Sequence, residues 1–191
     1  MTPVQLLCTL GAVLSAFACS PAWSSVFPDK YDFQIRKAAN RYLPGYDWRL
    51  WKAQLYQESL LNPDAVSPVG ARGLAQFMPG TWAEVSKQLG YQGISPHAVG
   101  PAITAGAYYQ GRMISIWKAP RPAADRYSLA AASYNAGAGN LIKAQKVCGG
   151  ANGYSQIIQC LPRVTGEHAA ETTTYVQRIW QYWTQMVIGG R

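Results

Sequence analysis

Acidic side chains and histidines are scarce in this sequence of 191 residues, which has nine Asp and Glu against seventeen Lys and Arg, and only two His. The net charge of +8 favours an anionic partner through long-range attraction. Because the basic residues are scattered and form no tract, nucleic acid is not the partner we expect. An anionic membrane surface and a carboxylate-rich cell wall are the two classes of partner that stay open.

Metal-binding patterns are also missing from the sequence. The histidines, His97 and His168, lie far from any Cys-x-x-Cys or His-Glu-x-x-His spacing. We therefore expect no metal site and no other cofactor.

Charged residues are missing from the first two dozen positions, where residues 6–18 form a continuous run of small and apolar side chains. This run predicts a signal peptide over residues 1–24 and export to the periplasm, although the usual Lys or Arg before the run is lacking. It is too short for a comfortable membrane span. Cys19 follows small residues and leaves an outer-membrane lipoprotein open as an alternative, but Phe17 fits a lipidation site poorly.

Cysteine is rare, with four in the chain. Removal of residues 1–24 discards Cys8 and Cys19 and leaves Cys148 and Cys160, an even pair in an oxidising compartment. We expect a disulfide between these two, with a pair of buried thiols as the alternative.

Alternating strand patterns are nearly absent, and the apolar residues recur at helical spacing. The sequence therefore predicts one all-α domain over residues 25–191 with irregular Gly- and Pro-rich connections. Three helices have predicted end signals: Asp32 caps a helix over 33–43, Asp47 caps a second helix that carries Glu58, and the capping box Thr81–Glu84 starts a third that stops before Gly90. The other predicted helices are 103–117, 123–134, 140–147 and 167–187.

Glu58 is the residue on which the functional interpretation centres. It lies seven residues after Trp51 and three after Leu55, so it belongs to the helix face that should turn inward. Burial of a carboxyl group disfavours its charged form and raises its pKa, as a general acid at neutral pH requires. Position alone leaves the alternative of a frayed helix end whose carboxyl reaches solvent.

The long loop that follows, residues 62–79, contains Ser67, Gly70, Gly73 and Pro79, a composition typical of functional loops. Two further segments also carry polar residues: 131–137 at a predicted helix end, and 171–176 along one face of the last predicted helix. With Glu58 and the loop, they define four sequence blocks: Glu58–Ser67, Gly70–Pro79, Ala131–Gly137 and Glu171–Val176.

Together these blocks resemble the soluble lytic transglycosylases, relatives of goose-type lysozyme. The family's Glu-Ser pair is intact at Glu58 and Ser59. Its Gly-Leu-Met-Gln motif is present as Gly-Leu-Ala-Gln at 73–76. Its Ala-Tyr-Asn-Ala-Gly motif is similar to Ala-Ser-Tyr-Asn-Ala-Gly at 132–137. The Glu-Thr-Thr-Thr-Tyr-Val stretch at 171–176 is similar to the motif that closes the family domain. The blocks come in family order, and the likeness extends over about residues 46–186.

The resemblance implies a lysozyme-like α domain with a glycan cleft. It implies cleavage of the β-1,4 bond between N-acetylmuramic acid and N-acetylglucosamine in peptidoglycan, with formation of a 1,6-anhydro end. Glu58 would act first as acid and then as base, and the substrate's N-acetyl group would replace the second carboxylate of ordinary glycosidases.

The same resemblance assigns supporting residues. Tyr134 is expected closest to Glu58, positioning it or the N-acetyl group, and Tyr175 is expected to line the cleft. Glu171 is expected to fix a tyrosine or backbone group nearby, a structural role and not a chemical one, and Asn135 ends a helix more readily than it binds sugar. The substrate-binding candidates, each with a structural alternative such as capping, loop support or core packing, are Ser59, Ser67, Gly73, Gln76, Tyr134 and Tyr175.

Two other functions stay open from the sequence. A hydrolytic lysozyme would need a carboxylate to activate water, for which Asp64 is the candidate, and a glycan-binding or assembly protein would keep the cleft without the reaction. We expect a monomer that contacts glycan strands. General wall turnover, a phage role and action beside a secretion, conjugation or pilus apparatus are the alternative settings.

Overall fold

Nine helices make up the regular structure of residues 27–189, the part of the chain that the computed structural model describes. No strand occurs within these residues, only the isolated bridges Val66–Arg72 and Arg72–Phe77, so the all-α prediction is confirmed. The helices are α1 (Asp32–Tyr42), α2 (Trp48–Ser59), α3 (Pro79–Leu89), α4 (Val99–Ile116), α5 (Ala123–Ala136), α6 (Ala138–Val147), α7 (Tyr154–Ile158), α8 (Pro162–Thr165) and α9 (His168–Ile188).

The predicted signal peptide, with Cys8 and Cys19, lies outside the described residues. Of the helices between residues 27 and 189, none has both the length and the apolar character needed to cross a membrane.

Two of the predicted helix ends are confirmed by their capping geometry. The Asp47 carboxylate accepts a hydrogen bond from the Arg49 backbone N–H at 3.0 Å and caps α2. Gly90 ends α3 with a φ of 72°, a left-handed conformation that glycine adopts without steric cost.

Two other capping predictions are wrong. Asp32 is the first residue of α1, where its charge favours the helix N-terminus, and Tyr31 occupies the cap position. The Thr81–Glu84 capping box does not form, because α3 already begins at Pro79, whose fixed φ suits the first helical position. The short helices α7 and α8 were not predicted, since four or five residues are too few to show a periodicity.

Helix α2 lies between the two hydrophobic clusters of the domain. Leu50 and Ala53 belong to the cluster built on α5 and α9, and Trp51 and Leu55 belong to the one built on α1, α4 and the loop before α3. Trp51 is fully buried, and a Cβ at Gly106 of α4 would come within 2.6 Å of its ring. The end of α2 is therefore fixed from both sides.

Two cross-links hold other parts of the domain together. The Lys52 ammonium, on a side chain that is 5% exposed, lies 2.6 Å from the Asp32 carboxylate and ties α2 to α1. Cys148 and Cys160 form the expected disulfide, with Cα atoms 5.8 Å apart, and it encloses α7 between α6 and α8.

Candidate active site

Glu58 lies in the last turn of α2, and its carboxyl group faces α9. The Tyr175 hydroxyl donates a hydrogen bond to Glu58 Oε1 at 2.5 Å. Burial raises the pKa of Glu58 to about 8; the Tyr175 hydrogen bond opposes this rise, and the nearby charge of Glu171 adds to it. The predicted inward face and raised pKa of Glu58 thus agree with the structure, and the carboxyl holds its proton at neutral pH.

The hydroxyl that reaches Glu58 belongs to Tyr175, which corrects the expectation placed on Tyr134. Tyr134 instead donates to the carbonyl oxygen of Ala75 at 2.8 Å and packs edge-on against Tyr109, with ring centroids 5.1 Å apart. Burial, together with the negative charge of Glu58, raises the pKa of both Tyr134 and Tyr175 well above the usual value. Both phenols therefore stay protonated and act as hydrogen-bond donors.

The serines expected to bind substrate use their hydroxyls inside the protein. Ser59 is 9% exposed and donates to the carbonyl of Leu74 at 2.9 Å, which ties the end of α2 to the loop. The Ser67 hydroxyl accepts from the Ala71 backbone N–H at 3.0 Å and closes a turn. For both residues the structure favours the structural alternative over a sugar contact.

Gly73 and Gln76 also serve the loop itself. Gly73 has a φ of +74°, and a Cβ there would lie 2.0 Å from the carbonyl oxygen of Pro96. The missing side chain of Gly73 therefore makes room for the backbone of Pro96. Gln76, at a φ of 45°, donates from its amide to the carbonyls of Gly73 at 2.9 Å and Ala65 at 3.3 Å. Of the two roles offered for Gln76, loop support is the one observed.

Two adjoining grooves open beside the Tyr175–Glu58 pair. The first, of about 290 Å³, is lined by Gln57, Asn135, Ala170, Glu171, Thr174, Tyr175 and Arg178. The second, of about 430 Å³, is lined by Asn135, Ala136, Asn140, Val164, Thr165, His168, Glu171 and Thr172. Because Asn135 and Glu171 line both, they stand where the two grooves meet.

Residues at this junction are held by contacts between α5 and α9. Asn135 is the penultimate residue of α5, as expected for a residue near a helix end, and its Oδ1 accepts from the Thr172 hydroxyl at 2.8 Å. Glu171 is exposed and makes no hydrogen bond or ion pair within residues 27–189, so the expectation that it fixes a tyrosine or backbone group is wrong.

The sequence interpretation missed several groove residues, notably Gln57, Thr174 and Arg178. A signal for two of them was present, because Thr174 and Arg178 share a helix face with Glu171. Asp64 is exposed in the loop, and the carboxylate whose charge acts on Glu58 is that of Glu171. No cluster of three or more potential metal ligands occurs in the part of the chain that the structure describes.

Comparison with known proteins gives consistent results. The family model of the transglycosylase SLT domain matches residues 34–157. Membrane-bound lytic murein transglycosylase F of Photobacterium profundum is 30% identical over 185 residues, covering 88% of this chain and 32% of that protein. The corresponding protein of Idiomarina loihiensis is 39% identical over 116 residues, covering 55% of this chain and 24% of that protein.

Solved structures are similar in fold. An inactive mutant of lytic transglycosylase Slt from Pseudomonas aeruginosa matches with a TM-score of 0.67 and 27% identity, over 90% of this chain and 27% of that one. The 70 kDa soluble lytic transglycosylase of Escherichia coli matches with a TM-score of 0.64 and 25% identity, over 85% and 25% of the two chains. This chain therefore spans a quarter to a third of the length of these relatives.

Proposed function

The chain belongs to the transglycosylase SLT-domain family, and from this premise we propose that it cleaves peptidoglycan as a lytic transglycosylase. The bond cut is the β-1,4 linkage between N-acetylmuramic acid and N-acetylglucosamine, and the product carries a 1,6-anhydromuramic end. The observation that carries the proposal is the half-buried Glu58 carboxyl, which accepts a hydrogen bond from Tyr175, a residue that lines an open groove. Burial raises the pKa of this carboxyl to about 8.

In the first step Glu58 acts as the general acid. Tyr175 holds Oε1 by its hydrogen bond, which leaves Oε2 to carry the proton. The proton passes to the glycosidic oxygen as the bond from that oxygen to the muramic C1 breaks and positive charge develops at C1. The carboxylate left behind keeps the hydrogen bond from Tyr175, and such a bond is stronger to a charged acceptor than to a neutral one.

In the second step the same carboxylate acts as the base. The muramic C6 oxygen bonds to C1, and its proton passes to Glu58, which restores the starting state of the enzyme. The nucleophile is already part of the sugar, so the ring closure gains the advantage of an intramolecular reaction.

Two structural relatives support this assignment. The Pseudomonas aeruginosa protein was solved as an inactive mutant in which one glutamate is replaced by glutamine. A 70 kDa soluble lytic transglycosylase was solved in complex with bulgecin A. A single essential glutamate in an accessible site is what the proposal requires of Glu58.

A hydrolytic reaction is the second candidate, because one other carboxylate lies within electrostatic reach of Glu58. Glu171 is exposed in the groove and raises the pKa of Glu58. A carboxylate there could activate a water molecule on the sugar, a role for which Asp64 was the candidate from the sequence.

Mass spectrometry of digested peptidoglycan tests the proposal and separates the candidates. Anhydromuropeptides are the expected products, reducing-end products would indicate hydrolysis, and an absence of products would indicate a glycan-binding protein. Glu58→Gln should lower the rate by at least about a thousandfold, since a positioned general acid–base contributes on that order. A Glu58→Gln variant that keeps its rate would overturn the mechanism.

The fold of Glu58→Gln can be checked through the pH dependence of stability. At pH values between the ordinary pKa of a carboxyl group and about 8, Glu58 is protonated in the folded protein and ionised in the unfolded chain. The free energy of unfolding therefore falls as the pH rises through this window, by about 3 kcal/mol between pH 4.5 and pH 7 for this group alone. Gln does not titrate, so the variant should be folded and lack this decline.

We further propose that the protein acts as an exported monomer in the periplasm, where murein is found. The disulfide supports an oxidising compartment, and the curated relatives are named as murein transglycosylases. Removal of residues 1–24 and action beside a secretion, conjugation or pilus apparatus stay predictions, as does the alternative of lipidation at Cys19. N-terminal sequencing of the mature protein tests the processing.

A further inference from the structure

Two side chains of opposite charge, Glu171 and Arg178, line the first groove. Glu171, Tyr175 and Arg178 follow one another along a single face of α9, at spacings of four and three residues. Seven residues of α-helix span about 10 Å. The tyrosine that holds Glu58 therefore stands between an anion and a cation.

Arg178 has no partner in the fold that would explain its position. It is exposed and makes no ion pair or hydrogen bond within residues 27–189. By contrast, Lys52 is paired with Asp32 and Arg112 with Glu84. Arg178 and Glu171 are too far apart to neutralise each other, so the guanidinium is free to bind an anion in the groove.

We propose that Arg178 binds a carboxylate carried by the N-acetylmuramic acid residue of the substrate and thereby selects which bond reaches Glu58. This inference rests on the proposed function for the identity of the polymer. Guanidinium matches a carboxylate with two parallel N–H donors. The carboxylate can be that of the lactyl group, free in peptide-free strands, or one of the stem peptide.

The benefit of such a contact follows from the alternation of the polymer. Successive sugars are N-acetylmuramic acid, which carries the acidic substituent, and N-acetylglucosamine, which is neutral. A shift by one sugar would place the wrong linkage at Glu58. Attraction to Arg178 on one side and repulsion from Glu171 on the other both favour the register in which the muramic residue lies toward Arg178.

Binding measured in a Glu58→Gln background tests the inference without turnover. Three probes are compared by calorimetry: peptide-bearing glycan strands, strands stripped of peptide, and chitooligosaccharide, which has no carboxylate. Adding Arg178→Gln should weaken binding of at least one acidic probe about tenfold, as expected for a charged hydrogen bond in an open groove. Binding of chitooligosaccharide should not change, and the difference should shrink at high salt.

Matched variants identify the cause of any loss. Arg163→Gln removes the same charge from an exposed site on α8 that lines neither groove, and should leave all three affinities unchanged. Arg178→Lys keeps the charge without the paired donors and should lose less than Arg178→Gln. A loss confined to stripped strands assigns the lactyl carboxylate, and a loss confined to peptide-bearing strands assigns the stem peptide.

The inference is overturned if Arg178→Gln weakens all three probes equally or none of them. This outcome is distinct from failure of the proposed function, which would appear as wild-type protein that binds acidic strands but releases no anhydromuropeptides.

Discussion

The loop at residues 62–78 and helix α9 both carry motif residues, but they use their polar groups in opposite ways. In the loop, Ser67 and Gln76 bond to nearby backbone, and Gly73 packs against the backbone of Pro96. On α9, Tyr175 bonds to Glu58 and Arg178 is open to the groove. The loop therefore supports the site through backbone contacts with Ser59 and Tyr134, and the helix supplies side chains that line the first groove.

This difference predicts that substitutions in the loop reduce stability and that substitutions on α9 change the chemistry. The largest effect is expected at Gly73. Its φ of +74° and the 2.0 Å separation between an added Cβ and the Pro96 carbonyl oxygen leave no room for a side chain. Gly73→Ala should lower the free energy of unfolding by about 3 kcal/mol or more, measured by urea denaturation.

Gly70 supplies the matched control for this substitution. It has a similar φ of +86°, but an added Cβ would meet nothing within 4 Å. Gly70→Ala should therefore cost only the backbone strain, about 1 kcal/mol. Equal losses for the two variants would mean that the contact with Pro96 does not constrain the loop.

Local patterns in the sequence were sufficient to predict the parts of the molecule that depend on neighbours along the chain. The inward face of Glu58 follows from Trp51 and Leu55 in the same helix. The cap at Asp47 and the stop at Gly90 are also local features. The start of α3 was missed because Pro79 and Thr81 both carry helix-start signals, and only the structure shows which one prevails.

The contacts between distant segments could not be predicted in the same way. Tyr134 and Tyr175 both lie on inward faces, and helical phase does not say which hydroxyl reaches a carboxyl 117 residues away from Tyr175. The approach of Pro96 to Gly73 likewise depends on tertiary packing. The family motifs led to Glu58 and Tyr175, which form one hydrogen-bonded pair, but the loop residues Ser67 and Gln76 bond to protein backbone.

Loss of the Tyr175 hydroxyl is expected to have the next largest effect. Tyr175→Phe removes a hydrogen bond that lowers the pKa of Glu58, so the pKa should move upward from about 8. The alkaline limb of the pH–rate profile should shift to higher pH. The rate should fall about 10- to 100-fold, because the carboxylate formed on proton donation loses a charged hydrogen bond.

Ser59→Ala is the control for Tyr175→Phe, since it removes a neighbouring hydroxyl that bonds to the Leu74 carbonyl and not to Glu58. It should cost about 1 kcal/mol of stability and leave the alkaline limb in place. An identical shift of the limb in both variants would show that loosening of the site, and not the hydrogen bond, sets the pKa of Glu58.

The smallest effect is expected at Glu171, which lines both grooves and acts on Glu58 only through its charge. Its negative charge raises the pKa of Glu58, so Glu171→Gln should lower that pKa and move the alkaline limb to lower pH, opposite to Tyr175→Phe. Because Glu171 is exposed, salt should screen the difference between variant and wild type. Glu167→Gln removes an exposed charge one turn earlier in the chain and should leave the limb where it is. If Glu171→Gln leaves the alkaline limb in place at low salt, the two carboxyl groups are not coupled, and burial and Tyr175 alone set the pKa of Glu58.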